Sequence, residues 1–191
     1  MKGIRAGCAM TGSFCTFTKA FEAWRTLKNA GAEILPIMSE NAYNTDTRFY
    51  AAKDARGIFS EIADQEIIHT IDRAEPIGPK KLTDIMIVSP CTGNTLSKIA
   101  NGIVDTPVAL AVKSTLRNGK PVLIAVSSND ALGIGAKNLG LLLGMRNIFF
   151  VPFAQDDPAG KPQSLVAKFD MLVPSVYAAL SGIQLQPILA V

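Results

Sequence analysis

The chain of 191 residues is 48% hydrophobic and 18% charged with a formal net charge of +3, a balance that fills a sizeable core for one domain. Its Lys and Arg are scattered, with no basic stripe interleaved with aromatics, which argues against nucleic acid, and no apolar run approaches the roughly 18 to 20 residues of a membrane helix. Lys2 and Arg5 flank a strand-like opening rather than a signal peptide's apolar region, and Cys8, Cys15 and Cys91 form no Cys-x-x-Cys pair and have one His for company, so a cytoplasmic chain with reduced thiols and no metal site is expected.

Residues 2–9 alternate weakly and give a short first strand. Phe14, Phe17, Phe21, Trp24 and Leu27 then recur at steps of three and four, which predicts a helix whose aromatic stripe packs in the core and which ends at Asn29-Ala30-Gly31. Between the two, Thr11, Gly12 and Ser13 make a small-residue loop at a helix N-terminus, a place that suits a phosphate. The spacing is not Gly-x-Gly-x-x-Gly, so the dinucleotide fingerprint is absent. Glu33 to Met38 reads as a second strand, with Pro36 arguing for an edge position or a bulge. Ser39-Glu40-Asn41 opens the next connection, residues 45–65 read as helical with Gly57 as a point of division, and Glu66 to His69 as a brief third strand. His69, the single histidine, has no Ser, Cys or Asp at a telling spacing, so it is read as structural or exposed. Residues 72–81 form a loop stiffened by Pro76 and Pro79.

The run Asp84-Ile85-Met86-Ile87-Val88 is too short for a helix and predicts a strand buried on both faces, stopped at Pro90. In Ser89-Pro90-Cys91-Thr92-Gly93-Asn94-Thr95, Gly93 allows a tight turn and Thr92, Asn94 and Thr95 are N-cap candidates for a helix beginning near Leu96. Strand, small-residue loop and helix N-terminus together favour an anionic or strongly polar ligand, although an ordinary turn has the same ingredients. Thr106-Pro107 breaks that helix and residues 108–118 resume one. Pro121 to Val126 is a buried strand, Ser127-Ser128-Asn129-Asp130 a polar loop, Gly135 to Gly144 a helix and Ile148 to Val151 the last strand. Residues 152–162 are expected as a polar loop or lid, and residues 169–180 as an apolar helix containing Pro174. The alternation implies an α/β fold: a doubly wound, mostly parallel sheet, flavodoxin-like or Rossmann-like, in three α-β-α layers over a single domain, residues 1–191. In such sheets ligands sit beyond the carboxyl ends of the strands, where all four polar loops converge.

Thr11-Gly12-Ser13 with its helix and Gly31-Ala32-Glu33, and above all Pro90-x-Thr92-x-Asn94-Thr95 with Lys98 to Asp105, resemble the motifs of the flavoprotein family that includes phosphopantothenoylcysteine decarboxylase and the flavin prenyltransferases. Phe14-Cys15-Thr16-Phe17, the Ser89-to-Asn94 variant and Gln163-Ser164-Leu165-Val166-Ala167 are similar to its dipicolinate-forming branch. The resemblance implies FMN, with the phosphate near Gly12, Ser13 and Ser39, the ring near Thr92, Asn94 and Asn129, and Thr11, Pro90, Cys91, Gly93, Thr95 and Ser127 completing the site. It also implies a homo-oligomer, trimeric or larger, and a separate dehydrogenase-like partner chain carrying NAD(P), with which the chain oxidises a dihydrodipicolinate-type precursor to dipicolinate during sporulation. A dianionic substrate needs cations, for which Arg48, Lys98, Lys113 and Arg117 are the candidates; the planar fork of Arg117 suits a carboxylate best. Two departures stand out. The family's decarboxylase histidine falls at Pro76, and of its Pro-x-Met-Asn block only Asn129 remains in Val126-Ser127-Ser128-Asn129. These leave open a non-redox scaffolding role, and more distantly a flavin-dependent decarboxylase or prenyltransferase.

Overall fold

The computed structural model describes residues 1–190; Val191, the last residue of the expected domain, lies outside them. Strands β1 (Arg5–Met10), β2 (Glu33–Met38), β3 (Ile85–Cys91), β4 (Val122–Ser128) and β5 (Ile148–Phe150) are all parallel to their neighbours, in the order β2-β1-β3-β4-β5. That is the flavodoxin-like order, whose switch point lies between β1 and β3.

The central strands read as unbroken apolar runs because both faces are covered. Ile85, Ile87, Leu123 and Ala125 face a layer made by α1 (Phe17–Asn29), α3 (Ala52–Ala63) and α8 (Leu172–Leu180). Met86, Val88, Val122, Ile124 and Val126 face the other, made by α5 (Gly93–Ala100), α6 (Pro107–Arg117) and α7 (Ala136–Leu143). The predicted stripe of α1 forms its buried face: Phe17, Phe21, Trp24 and Leu27 are all at most 2% exposed.

Several expected elements take another form. Residues 45–65 divide before α3, not at Gly57: a short α2 (Glu40–Asn44) is followed by a loop, and Gly57 lies inside α3. Residues 66–69 pair only at Ile68, whose N–H donates to Pro36 O and whose carbonyl accepts from Met38 N, both at 2.9 Å. This contact lines the outer edge of β2, the edge position that Pro36 requires. The loop at 72–81 contains the rest of α4 (Ile71–Ala74) and a 3₁₀ turn at Glu75–Ile77. Strand β3 does not stop at Pro90 but runs to Cys91, the missing N–H being absorbed by a register shift against β4 between Val88 and Cys91. The expected lid at 152–162 is instead mostly a hairpin, β6 (Phe153–Asp157) and β7 (Lys161–Ala167), and β7 lies antiparallel to the last residues of β4, pairing Ser127 with Val166 and Ser128 with Leu165.

The amino ends of β1 and β3 are tied by charge. The Asp84 carboxylate accepts from Arg5 N at 3.0 Å and from the Arg5 guanidinium at 3.1 and 3.3 Å, with Lys120 Nζ 3.8 Å away. The side-chain hydrogen bond from Arg5 is the chief reason that its pKa lies below the usual carboxylate value. A depressed folded pKa stabilises the fold above the unfolded value of about 3.9 and ceases to do so as pH falls through the folded one. The urea midpoints of wild type and Asp84→Asn are therefore expected to differ at neutral pH and to converge in strong acid; a difference independent of pH would rule out this linkage.

Candidate functional site

The carboxyl ends of β1, β3 and β4 are bound to one another by hydroxyls. Thr11, fully buried, donates from Oγ1 to Pro90 O at 2.8 Å and accepts from Thr92 N at 2.9 Å, locking the loop after β1 to the loop after β3 across the switch point. Thr92 is the N-cap of α5, its Oγ1 accepting from Thr95 N at 3.4 Å, so the helix begins at Gly93 rather than near Leu96. The Ser13 and Ser127 hydroxyls meet at 2.7 Å, and Thr16 Oγ1 donates to Ser13 O at 2.8 Å. Small residues are needed for this convergence: a Cβ built on Gly93 would lie 2.7 Å from Ser128 Oγ, closer than unbonded atoms approach.

Above these joints lies a cavity of about 850 Å³. Its floor is Gly12, Ser13, Thr92, Gly93, Ser127 and Asn129; Phe14, Cys15, Thr16 and Lys19 line it from the start of α1, and Phe49 lines it from the loop before α3. The hairpin supplies another wall through Asp156, Lys161, Pro162, Gln163, Ser164 and Val166. Lys161 Nζ donates to Asp156 Oδ2 at 3.1 Å, which raises the lysine's pKa.

Of the expected site residues, Gly12, Ser13, Thr92, Gly93, Ser127 and Asn129 thus share one cavity. Thr11, Pro90 and Thr95 act beneath it as the bonded frame. Cys91 is buried; burial pushes its thiol pKa up and leaves it protonated. Ser39 N-caps α2, accepting from Ala42 N at 3.3 Å, and does not line the cavity. Asn94 is exposed on the first turn of α5 and likewise points elsewhere.

The expected cations are displaced further. Lys98 Nζ is held by the Asp105 carboxylate at 2.6 and 2.7 Å. Lys113 and Arg117 are exposed on α6 and line no part of the cavity; Arg117, the last residue of that helix, is carried to the other edge of the sheet, because the helix runs back toward the start of β4. Arg48 lies over the Phe49 ring, 4.8 Å from its centre, and so reaches only the rim. His69 stacks on Tyr43 with ring centres 3.7 Å apart, outside the cavity.

Residues that the sequence does not reveal as part of the site are Phe14, Cys15, Thr16, Lys19, Phe49 and the hairpin. The spacing assigns Phe14 to the core stripe, yet it sits at the helix entry, where the stripe opens onto the cavity. The hairpin carries no alternating signal: Gln163-Ser164 is followed by the short apolar run Leu165-Val166-Ala167, and Pro152, Pro158 and Pro162 around it read as loop.

Residues 1–171 match the Flavoprotein family. The chain belongs to the flavoprotein family. It is 45% identical over 189 residues to the B subunit of dipicolinate synthase from Bacillus subtilis, covering 99% of this chain and 94% of that one. The crystal structure of the corresponding B subunit from Bacillus halodurans superposes with a TM-score of 0.91 at 40% identity, covering 100% of this chain and 97% of that one. A dodecameric FMN-dependent UbiX-like decarboxylase from Escherichia coli O157:H7 is more distant, with a TM-score of 0.65 at 25% identity over 93% of this chain and 92% of its own. The chain is thus a flavoprotein-family homologue of the dipicolinate synthase B subunit with a flavodoxin-like fold, and none of its described helices is long and apolar enough to cross a membrane.

Proposed function

We propose that residues 1–191 form one flavoprotein-like domain, a cytoplasmic oxidoreductase subunit that binds FMN in the cavity above β1, β3 and β4 and takes part in forming dipicolinate by oxidising a dihydrodipicolinate-type precursor. The observation that carries the reading is the cavity at the switch point of a flavodoxin-like sheet, floored in part by Gly12, Ser13 and Thr92 of the motifs on which the family resemblance rests. The donor set fits the cofactor. Hydroxyls of Ser13, Thr92 and Ser127 and the free N–H groups at the start of α5 suit a polar, anionic ligand, Phe14 and Phe49 offer apolar walls to a ring, and the bare Cα of Gly93 permits close approach.

FMN, when bound, supplies an acceptor for the hydride that leaves as a dihydropyridine becomes aromatic, the accompanying proton passing to solvent. The chain's part is to hold both molecules in one cavity, with the hairpin as a wall against water. Pro76, where the family's decarboxylases have a histidine, lies in the Glu75–Ile77 turn and has no group to move a proton, which favours oxidation over decarboxylation. The relatives are named as B subunits of dipicolinate synthase, which supports a partner, the synthase's A subunit; in this reading that partner is dehydrogenase-like and carries NAD(P). The dodecameric relative supports self-association into a trimer or larger, in which the exposed Asn94 of one copy would face another.

The test is the visible absorption spectrum of the purified chain after FMN loading and removal of free ligand. A retained flavin band that bleaches when precursor and the dehydrogenase-like partner are added is the expected result. No band after loading would overturn the cofactor assignment and leave a scaffolding subunit whose partner does the redox chemistry.

A further inference from the structure

We infer that Lys19 of α1 and Lys161 of the hairpin are the two cations that hold the carboxylates of the dicarboxylate substrate, an assignment that rests on reading this cavity as the reaction site. They are the only cationic side chains among the residues that line it, and Asp156 is the only anionic one. They stand on separate elements, one at the start of α1 and the other at the start of β7, beside the hydroxyl floor. Cys15, four residues before Lys19 in the chain, lines the same cavity as both lysines.

The pairing of these lysines suits the task. Lys161 Nζ meets Asp156 Oδ2 at 3.1 Å in a solvent-exposed ion pair, which leaves two of the three ammonium donors available for an incoming carboxylate. Lys19 has no ion-pair partner among the described residues, so its charge is not compensated before a ligand arrives. The lining residues, two cations and one anion, thus carry a net positive charge that favours an anionic ligand, and the two ammonium groups give each carboxylate of a dianion its own partner. None of Lys98, Lys113 and Arg117 can do this, since none lines the cavity. Two ammonium groups on separate walls also select by number: a monocarboxylate of the same ring engages one and leaves the other unpaired.

The experiment is calorimetric titration of the full chain, in excess FMN and divalent-free buffer, with pyridine-2,6-dicarboxylate and with pyridine-2-carboxylate, the flavin band being recorded separately for every variant. Lys19→Gln and Lys161→Gln are each expected to weaken dicarboxylate binding by about tenfold, the worth of one charge-assisted contact, with flavin retention unchanged. Lys161→Arg should restore most of the loss, Lys98→Gln should change nothing, and the monocarboxylate should bind wild type weakly. Equal dicarboxylate binding by wild type and the double variant, equal binding of both acids, or no dicarboxylate binding to wild type would each overturn the assignment. A wild-type chain with no flavin band but lysine-dependent dicarboxylate binding would instead overturn the cofactor reading and leave this one standing.

Discussion

Gly93→Val is expected to reduce the FMN retained after desalting by at least about tenfold, a loss of roughly 1.4 kcal/mol or more in binding. The cause is contact rather than conformation. Gly93 is the first residue of α5 and is not among the glycines with positive φ, so valine is sterically admissible in the backbone and the helix should form. Its side chain, however, begins 2.7 Å from Ser128 Oγ. That hydroxyl accepts from Asp130 N at 3.2 Å, so displacing it moves the short loop that also carries Asn129, while the added methyls enter the cavity floor. Gly93→Ala should fall between wild type and valine, because one methyl can be met by rotating Ser128. Overpacking of this kind costs about 1–3 kcal/mol of stability, and the urea midpoint should register it without loss of the cooperative transition. Full flavin occupancy in Gly93→Val would mean that the cofactor does not approach the β3–α5 junction and that the site lies elsewhere.

The central part of the fold was legible because burial on both faces leaves a plain mark. Ile85 to Val88 and Pro121 to Val126 are apolar without alternation, which only covered strands tolerate, and the stripe from Phe17 to Leu27 has one helical reading. The floor of the site was legible for a related reason: where strands end and helices start, converging loops must be small and polar, and Gly12, Ser13, Thr92, Gly93 and Ser127 are such residues in their own local sequence. What failed was long-range. Nothing near Lys19 or Lys161 in sequence reveals that α1 and the hairpin face the same cavity, and the pairing of β7 with β4 that brings them together joins residues far apart in the chain. Cations close to the motifs read as the natural substrate ligands, but Lys98 does not line the cavity and Arg117 rides a helix running away from the site. Residues 66–69 mislead for the opposite reason. Of their apolar pair, Ile67 packs in the core and Ile68 alone makes a single bridge on the outer edge of β2, and one bridge does not make a strand.

The second large effect lies in the core, and its size turns on an unusual nitrogen. Trp24 is fully buried, stacked on Phe59 with ring centres 6.2 Å apart, and joins α1 to α3 over the sheet. Trp24→Ala is expected to cost about 3–5 kcal/mol, a large share of the roughly 5–15 kcal/mol that holds a domain folded, and to lower the urea midpoint accordingly at unchanged slope. Far-UV circular dichroism is the appropriate probe, because the chain has one tryptophan and the variant loses it. Trp24 Nε1 is buried and has no hydrogen-bond partner among the described residues. Tryptophan here therefore carries the cost of an unsatisfied donor, about 1–3 kcal/mol, alongside the benefit of its area. Phenylalanine gives up part of the area but also removes the orphan N–H, so Trp24→Phe should cost less than about 2 kcal/mol, clearly below the loss in the alanine variant. A phenylalanine variant as unstable as the alanine one would mean that the indole N–H is satisfied in solution, by a buried water bridging to a nearby carbonyl, and that shape alone does not explain why this position is a tryptophan.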